Sequence, residues 1–301
     1  MTTVAAIDIS TNSTNLLIRD DAGRYDRITT VTRLGQGVSR TGMLDTAAIE
    51  RTLDALRRYR TLLDRETMQQ VSVVGTSASR DATNRDEFFD AAEAVIGVRP
   101  QLLSGEDEGR VAYTGAVSGL GPFDGSHLVF DIGGGSTELM VADHEGLRAV
   151  TSLNIGALRL RESELHHDPP RPEELTNAIG IVHDELDDAI RAIPDIVDAG
   201  TIIGLGGTVS TVARVELGRS DAELHGIILS RLAVEDVFRT LATESLADRV
   251  HNPGLSADRA DIIVGGCCVL VAILRKLQAD SMIVSKRGVL DGLTTRALAG
   301  S

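Results

Sequence analysis

Tryptophan is absent from this chain of 301 residues, and aromatic side chains make up only 3% of it. The core must therefore rest on Val, Ile, Leu and Ala, because hydrophobic residues still account for 42% of the chain. Positive charge is also scarce: 30 Lys and Arg stand against 44 Asp and Glu, and the formal net charge is -14. Nucleic-acid binding is not expected, since it usually needs aromatic stacking platforms or a basic face.

Cysteine is rare as well, and the only two, Cys267 and Cys268, are neighbours. Adjacent cysteines lack zinc-site spacing and rarely form a structural disulfide, so we expect them in the core of a protein from a reducing compartment. Residues 1–7 have neither the basic start nor the apolar length of a signal peptide. Residues 262–274 form the longest apolar stretch, which is too short to cross a bilayer. We expect a cytoplasmic protein with no membrane partner.

One strand and turn unit occurs twice in the sequence. Residues 4–9, VAAIDI, read as a buried strand that is followed by a polar turn and a second strand at 15–18. Residues 127–132, HLVFDI, are followed by the glycine-rich turn GGGSTE and a strand at 139–142. This repetition indicates a duplicated domain.

Helical patterns separate the predicted strands. They fall at 46–63, 84–95, 106–117, 172–193, 208–217 and 257–277, with further strands at 71–74, 99–103, 201–204 and 282–285 and a closing helix from 289. Strands alternating with helices predict an α/β fold. The turn-rich segment 119–125 precedes the second unit, so we predict an N-terminal domain at 1–121 and a C-terminal domain at 122–301.

The glycine-rich turns are candidate phosphate sites. Glycines that expose backbone N–H groups beside hydroxyl side chains can cradle a phosphate chain, although a tight turn alone explains such glycines about equally well. Asp131 and Glu138 flank the second turn, where carboxylates could hold hydrated magnesium or another divalent cation. A third turn, residues 204–208, leads from a strand into a helix and would aim the helix N-terminus at an anion.

Taken together, the motifs resemble those of the exopolyphosphatase and guanosine pentaphosphate phosphohydrolase family, within the actin-like and sugar-kinase-like superfamily. The matching segments are 8–13, 76–82, 104–110, 131–138, 153–160, 204–208, 224–226 and 252–261. They cover nearly the whole chain in the family's order. The resemblance implies two duplicated ribonuclease-H-like (actin-like) domains with a cleft between them, in a short two-domain form.

The resemblance also implies roles for individual residues. Glu108 matches the catalytic glutamate that activates water, and Arg80 matches an arginine that contacts phosphate. The implied phosphate-binding residues are Ser10, Thr11, Asn12, Ser13, Arg80, Gly133, Gly134, Gly135, Ser136, Thr137, Gly206, Gly207 and Thr208. Asp131 and Glu138 would hold the metal. The implied substrates are inorganic polyphosphate, guanosine pentaphosphate or both, and a homodimer is expected by analogy.

Two features depart from the family pattern. Ser10 stands where the family has glycine, so its side chain could crowd a phosphate or contact it through the hydroxyl. Many members also carry a further C-terminal helical domain, and this sequence ends soon after Leu298. Processive action on long polyphosphate is therefore not expected.

Two other functions fit the same fold. An ATP-dependent kinase of a small molecule would need an acceptor pocket with its own base, usually an aspartate, whereas the Glu108 segment favours water. A non-catalytic sensor of phosphate ligands is favoured only by Ser10, and the carboxylates of Glu108, Asp131 and Glu138 oppose it.

Overall fold

The structure, a computed structural model, describes residues 2–300 and divides into two compact units. Unit 1 contains the described residues up to 115 together with those from 288 onward, and unit 2 contains residues 116–287. The predicted domain boundary, between residues 121 and 122, lies in the loop shortly after the first change of unit. The second change, at residue 288, was not predicted from the sequence.

Unit 1 is an α/β layer built on five strands. They are β1 (Thr3–Ile9), β2 (Ser13–Asp20), β3 (Tyr25–Val31), β4 (Gln70–Gly75) and β5 (Gln101–Leu102), in the sheet order β3-β2-β1-β4-β5. Neighbours β1, β2 and β3 pair antiparallel, whereas β4 pairs parallel with β1 and with β5. The helices are α1 (Val38–Thr41), α2 (Thr46–Leu63), α3 (Ser77–Asp81), α4 (Arg85–Ile96), α5 (Gly105–Ala116), which ends at the unit boundary, and α12 (Val289–Ala299).

The central strand β1 is buried on both faces, which explains its nearly continuous apolar sequence. Ala5, Ile7 and Ile9 face the core shared with α2 and α4, whereas Ala6 contacts Leu290 of α12. The last helix thus covers the second face of the sheet. Helix α12 also lies directly against α5, because a Cβ built on Gly292 would come within 2.0 Å of Val111 O.

Unit 2 has a sheet of six strands. They are β6 (His127–Ile132), β7 (Thr137–Asp143), β8 (Gly146–Leu153), β9 (Thr201–Leu205), β10 (Ile228–Ser230) and β11 (Ser281–Val284), in the order β10-β11-β9-β6-β7-β8. The helices are α6 (Ala157–Ser163), α7 (Pro172–Ala192), α8 (Gly207–Leu217), α9 (Arg231–Thr243), α10 (Leu246–Arg249) and α11 (Ile263–Lys276). The predicted helix at 257–277 was wrong at its start, because residues 257–259 form a separate 3-10 turn.

The two sheets repeat one plan. Each sheet contains three antiparallel strands that are consecutive in the chain, and the first of them also pairs with the first of two parallel strands. The strand orders are β3-β2-β1-β4-β5 in unit 1 and β8-β7-β6-β9-β11 in unit 2. The predicted α/β fold with two related halves is confirmed.

Cys267 and Cys268 are free and buried in the core of unit 2, as predicted, and burial raises the pKa of Cys268 to about 12. None of the helices in the described residues has the length and apolar character needed to span a membrane.

A buried glutamate anchors the start of α7. The Glu174 carboxylate accepts hydrogen bonds from the backbone N–H groups of His166, His167 and Arg171, and lies 2.7 Å from His167 Nδ1. Burial alone would raise the pKa of Glu174, but these four contacts outweigh it and lower the pKa to about 2. The carboxylate therefore stays ionised and fastens the preceding loop to the helix.

Candidate active site

The turn between β1 and β2 points its carbonyl groups into the protein. Ser10 N–H donates to Ser13 O at 2.9 Å and closes the turn. Residues 32–35 then donate three N–H groups to the carbonyls of Thr11 and Asn12, at 2.8 to 3.1 Å. Among residues 2–300, the N–H groups of Thr11 and Asn12 have no acceptor. They are therefore available to an anion.

The Asn12 side chain is also unsatisfied. Asn12 is only 5% exposed, yet neither its Oδ1 nor its Nδ2 has a hydrogen-bond partner in the described structure. Buried amides are almost always hydrogen-bonded in folded proteins, so this one indicates a missing ligand or water.

The turn between β6 and β7 is built in the same way. Gly133 N–H donates to Ser136 O at 3.0 Å, and the first turn of α6 donates three N–H groups to Gly133 O and Gly134 O at 2.9 to 3.1 Å. Arg159 Nε donates to Gly135 O at 2.9 Å. Over the part of the chain described, the N–H groups of Gly134 and Gly135 find no acceptor. Arg159, which the sequence did not single out, thus helps to orient this loop.

Each turn is supported by a glycine from the segment that follows it. A Cβ on Gly156 would lie 2.6 Å from Gly134 C and O, and one on Gly35 would lie 2.3 Å from Thr11 Cγ2. Neither glycine has a positive φ. Glycine is therefore required at both positions by the short distance to the neighbouring turn, and not by the backbone conformation. Each of the two turns therefore has an equivalent closing hydrogen bond, an equivalent supporting segment and an equivalent supporting glycine.

Asp8 occupies in unit 1 the position of Asp131 in the repeat, but it was not among the predicted site residues. Its Oδ2 accepts from Ser10 Oγ at 2.5 Å and from Asn15 Nδ2 at 3.4 Å, whereas its buried Oδ1 has no partner in residues 2–300. Burial raises the pKa of the Asp8 carboxyl, although the bonds from Ser10 and Asn15 and the charge of Arg27 oppose this.

The Ser10 hydroxyl therefore faces Asp8. The equivalent glycine, Gly133, also has no positive φ, and a Cβ there would meet only Ser136 O, at 3.0 Å. A side chain at this position is compatible with the turn.

Glu108 lies in the first turn of α5 and is 8% exposed. Ser104 begins this helix: its carbonyl accepts from Glu108 N–H at 2.9 Å, and its hydroxyl accepts from Asp107 N–H at 3.1 Å. Arg80 Nη1 donates to Glu108 Oε2 at 2.7 Å and to Leu103 O at 3.1 Å. The structure thus brings the predicted base and the predicted phosphate-contacting arginine into one ion pair within unit 1.

Asp131 and Glu138 are paired residues on neighbouring antiparallel strands, β6 and β7. Glu138 is 1% exposed, and its Oε1 accepts from Ser152 Oγ at 2.8 Å. Within residues 2–300, no three Asp, Glu, His or Cys side chains are grouped as metal ligands. Carboxylate oxygens do suit magnesium, which keeps several waters and commonly binds through one or two carboxylates and the substrate phosphates.

The third turn, between β9 and α8, lies beside the second. Gly206 has a φ of 96°, which favours glycine, and a Cβ on it would lie 2.6 Å from both Asp131 Oδ1 and Ile132 O. Gly207 begins α8, so the N–H groups of its first turn have no acceptor inside the helix. The two turns therefore form one continuous edge of unit 2.

Several predicted hydroxyl ligands are engaged elsewhere. Thr137 Oγ1 donates to Ile155 O at 2.8 Å, and Ser13 Oγ accepts from Asn15 Nδ2 at 3.2 Å. Thr208 Oγ1 packs against α11, because a Cβ on Gly266 would lie 2.2 Å from it. The unpaired groups of these turns are thus mainly backbone N–H groups.

Comparison with known proteins adds independent information. A model of the Ppx/GppA phosphatase family matches residues 24–300. The chain is 36% identical over 320 residues to exopolyphosphatase 2 of Mycobacterium tuberculosis, and the match covers 100% of the chain and 99% of the relative. It is 32% identical over 295 residues to guanosine-5'-triphosphate,3'-diphosphate pyrophosphatase of Aeromonas salmonicida, which covers 96% of the chain but 58% of that longer relative.

Solved structures agree with the family match. An exopolyphosphatase-like protein superposes with a TM-score of 0.94 at 31% identity, and the match covers 99% of both chains. A Ppx/GppA family member from Aquifex aeolicus gives a TM-score of 0.80 at 30% identity, and the match covers 99% of this chain and 98% of that one.

Proposed function

Because this chain belongs to the Ppx/GppA phosphatase family, we propose that it hydrolyses the terminal phosphoanhydride bond of condensed phosphates, namely inorganic polyphosphate, guanosine pentaphosphate or both. The observation that carries the proposal is that the turn between β1 and β2 and the turn between β6 and β7 have the same hydrogen-bonding pattern. In both copies the carbonyls are held by the protein while adjacent N–H groups remain unpaired. Such turns suit phosphate oxygens, which accept many hydrogen bonds at close approach.

In the proposed reaction, water attacks the terminal phosphorus and the bridging P–O bond breaks toward the remaining phosphate chain. Glu108 accepts the proton of the attacking water. The positive charge of Arg80, 2.7 Å away, favours the ionised carboxylate that this role requires. Little covalent chemistry is needed, so positioning and neutralisation of the phosphate charges supply most of the catalysis.

Magnesium, when bound, would neutralise the phosphates. Asp131 and Glu138 of unit 2 are the predicted holders. Asp8 occupies the position of Asp131 in the repeat of unit 1, and its buried Oδ1 has no protein partner among residues 2–300. The chain's own contribution is to keep these oxygens in place through hydrogen bonds, such as Ser152 to Glu138 and Ser10 to Asp8.

The two alternatives differ from this proposal in the fate of the bound phosphate. The sensor hypothesis rested on crowding by Ser10, and the Ser10 hydroxyl lies 2.5 Å from Asp8 Oδ2. A kinase would transfer phosphate from ATP to an acceptor instead of to water. The predicted homodimer, the cytoplasmic location and the absence of nucleic-acid and membrane partners stay predictions.

The test is release of orthophosphate from tripolyphosphate, long polyphosphate, guanosine pentaphosphate and ATP, each with magnesium. We expect turnover of at least one of the first three, with ATP the poorest substrate. A Gly156→Ala variant is the internal control, because its Cβ would collide with Gly134 and distort the second turn. Turnover of ATP alone, or none with any condensed phosphate, would refute the proposal.

A further inference from the structure

The two repeated turns differ at Ser10. Ser10 and Gly133 hold equivalent positions, because the N–H of each closes its turn by donating to the serine carbonyl three residues later. The Ser10 hydroxyl donates to Asp8 Oδ2 at 2.5 Å. Gly133 has no hydroxyl with which to make the corresponding contact to Asp131. The bond between Ser10 and Asp8 is therefore a feature of unit 1 that the common hydrogen-bonding pattern does not require.

This bond makes the two oxygens of the Asp8 carboxylate different. Oδ2 accepts from Ser10 Oγ and, at 3.4 Å, from Asn15 Nδ2. Oδ1 is buried and has no hydrogen-bond partner among residues 2–300. Buried polar atoms without a partner are rare, because their lost hydration is not replaced. A bound cation or water is therefore expected at Oδ1, whereas Oδ2 is already engaged.

The Asn12 side chain supports this conclusion. Asn12 lies in the same turn and is 5% exposed, and both polar atoms of its amide lack a partner in the described residues. The neighbouring side chains of Ser13 and Asn15, by contrast, are bonded to each other. Two unsatisfied side chains in one turn indicate a bound ligand beside the turn rather than a local packing defect.

The number of free carboxylate oxygens affects the choice of metal ion. Magnesium needs a nearly ideal octahedron, which the narrow bite of a two-oxygen carboxylate distorts, whereas calcium accepts about six to eight oxygens and often both oxygens of one carboxylate. With Oδ2 bonded by Ser10, Asp8 offers one oxygen. Loss of the Ser10 hydroxyl would leave only the longer bond from Asn15 and would free Oδ2 for the same ion.

We propose that Ser10 is a positioning residue: it holds Asp8 as a one-oxygen ligand and thereby favours magnesium over calcium at the first turn. Ser10 acts through the carboxylate and does not itself contact the metal ion or the substrate. The inference rests on the proposed function, because the metal ion would serve there to neutralise the phosphates of the substrate. Metal binding is measurable without substrate, so the inference and the proposed function can be tested separately.

The first test is metal binding in the absence of substrate. Melting temperatures of the unmodified protein, Ser10→Ala and Ser72→Ala are recorded against magnesium chloride and against calcium chloride, at constant ionic strength and without phosphate. Ser72→Ala is the matched control, since it removes a hydroxyl from β4, where Ser72 Oγ accepts from Gln70 Nε2 at 3.4 Å. It should keep both affinities within about twofold.

For Ser10→Ala we expect the apparent affinity for magnesium to fall roughly 3- to 10-fold, because the carboxylate loses the partner that orients it. The affinity for calcium should stay unchanged or rise, since both oxygens become available. Equal losses for the two ions would overturn the proposal, because the bond would then not determine the choice of ion. Unchanged affinity for both ions would also overturn it and assign Ser10 a structural role.

A double-mutant cycle tests whether Ser10 acts through Asp8. Asp8→Asn keeps the shape of the side chain and removes its charge, so it should weaken magnesium binding more than Ser10→Ala does. Added to Asp8→Asn, Ser10→Ala should change the affinity by less than about twofold, because the group that it positions is gone. Loss of the same factor in both backgrounds would contradict the proposal.

Activity separates the inference from the proposed function. Orthophosphate release from the best substrate of the unmodified protein is measured against magnesium concentration. For Ser10→Ala we expect the half-saturating magnesium concentration to rise by the factor found in the melting experiment, with kcat at saturating magnesium within about threefold. If no condensed phosphate is hydrolysed but Ser10→Ala still loses the preference for magnesium, the positioning role stands and the proposed function fails. If condensed phosphates are hydrolysed and both proteins respond identically to the two metal ions, the function stands and the inference fails.

Discussion

Substitution of Glu108 by Gln tests the proposed base directly. In the unmodified protein, Arg80 Nη1 donates to Glu108 Oε2 at 2.7 Å. The Gln side chain is nearly isosteric, and its amide oxygen can still accept this hydrogen bond. A charge-assisted bond becomes an ordinary one, at a cost of about 1 kcal/mol in the free energy of unfolding. For a protein of this size, that cost lowers the melting temperature by roughly 2 to 4 °C. The amide cannot accept a proton, so kcat should fall about 100-fold or more.

The assay compares kcat, KM and substrate affinity for the unmodified protein, Glu108→Gln and Glu106→Gln. Glu106 lies two residues earlier in the same helix and is exposed, so its variant removes the same charge without touching the ion pair. We expect Glu106→Gln to keep near-normal kcat, and Glu108→Gln to keep substrate affinity while losing turnover. This pattern isolates the chemical step.

Two results would refute the reasoning. Near-normal kcat in Glu108→Gln would place the base elsewhere, and Asp131 or Glu138 would become the next candidates. Loss of substrate affinity with little loss of kcat would instead assign Glu108 to holding Arg80 or a metal ion.

Three further substitutions follow from individual contacts. Ser10→Gly should keep the fold and change kcat/KM by only about two- to threefold, because the Ser10 hydroxyl bonds Asp8; identical kinetics would show that this bond is neutral for catalysis. Gly156→Ala should remove most activity, whereas Gly121→Ala, whose Cβ would meet nothing within 4 Å, should be silent in the same phosphate-release assay. Glu174→Gln should lower the melting temperature at pH 7. Since the folded pKa is about 2, below the ordinary 4.5, this stabilisation is complete above pH 4.5 and is lost as the pH falls through about 2; a difference in melting temperature that does not narrow between pH 4.5 and pH 2 would contradict it.

The repeated strand and turn was readable from the sequence because both copies combine a buried strand with an acid and small residues. Helix α2 was predicted with its observed bounds, Thr46–Leu63, since its apolar positions recur at helical spacing and Asp45 caps it. Strand β3 was missed because most of its residues are exposed, and its sequence therefore lacks a core-facing pattern. The early start predicted for α11 has a similar cause: the 3-10 turn at 257–259 has helical composition but is not part of the helix.

The return of α12 to unit 1 could not be read from local patterns. Its sequence shows only a helix with an apolar face, and that face could pack against either sheet. The choice depends on the close approach of Gly292 to α5 and on Leu290 meeting Ala6 and Leu17 across the sheet. Such contacts join residues far apart in the chain, and the local spacing of apolar residues in a single sequence does not predict them.

Likewise, the sequence suggested separate roles for Arg80 and Glu108 but not that the two side chains meet. They are 28 residues apart, and their contact depends on α3, which carries Arg80, and on α5, which carries Glu108, meeting within unit 1. The contact bears on the proposed catalysis. A polyphosphate brings negative charge, which by itself would favour protonation of a nearby carboxylate and remove the base. An arginine that bonds Glu108 while it contacts phosphate would offset that effect, and its planar fork of five donors can serve both partners at once. On the proposed mechanism, lysine at position 80 would supply the charge without the fork, so we expect the arginine to act through its geometry as much as through its charge.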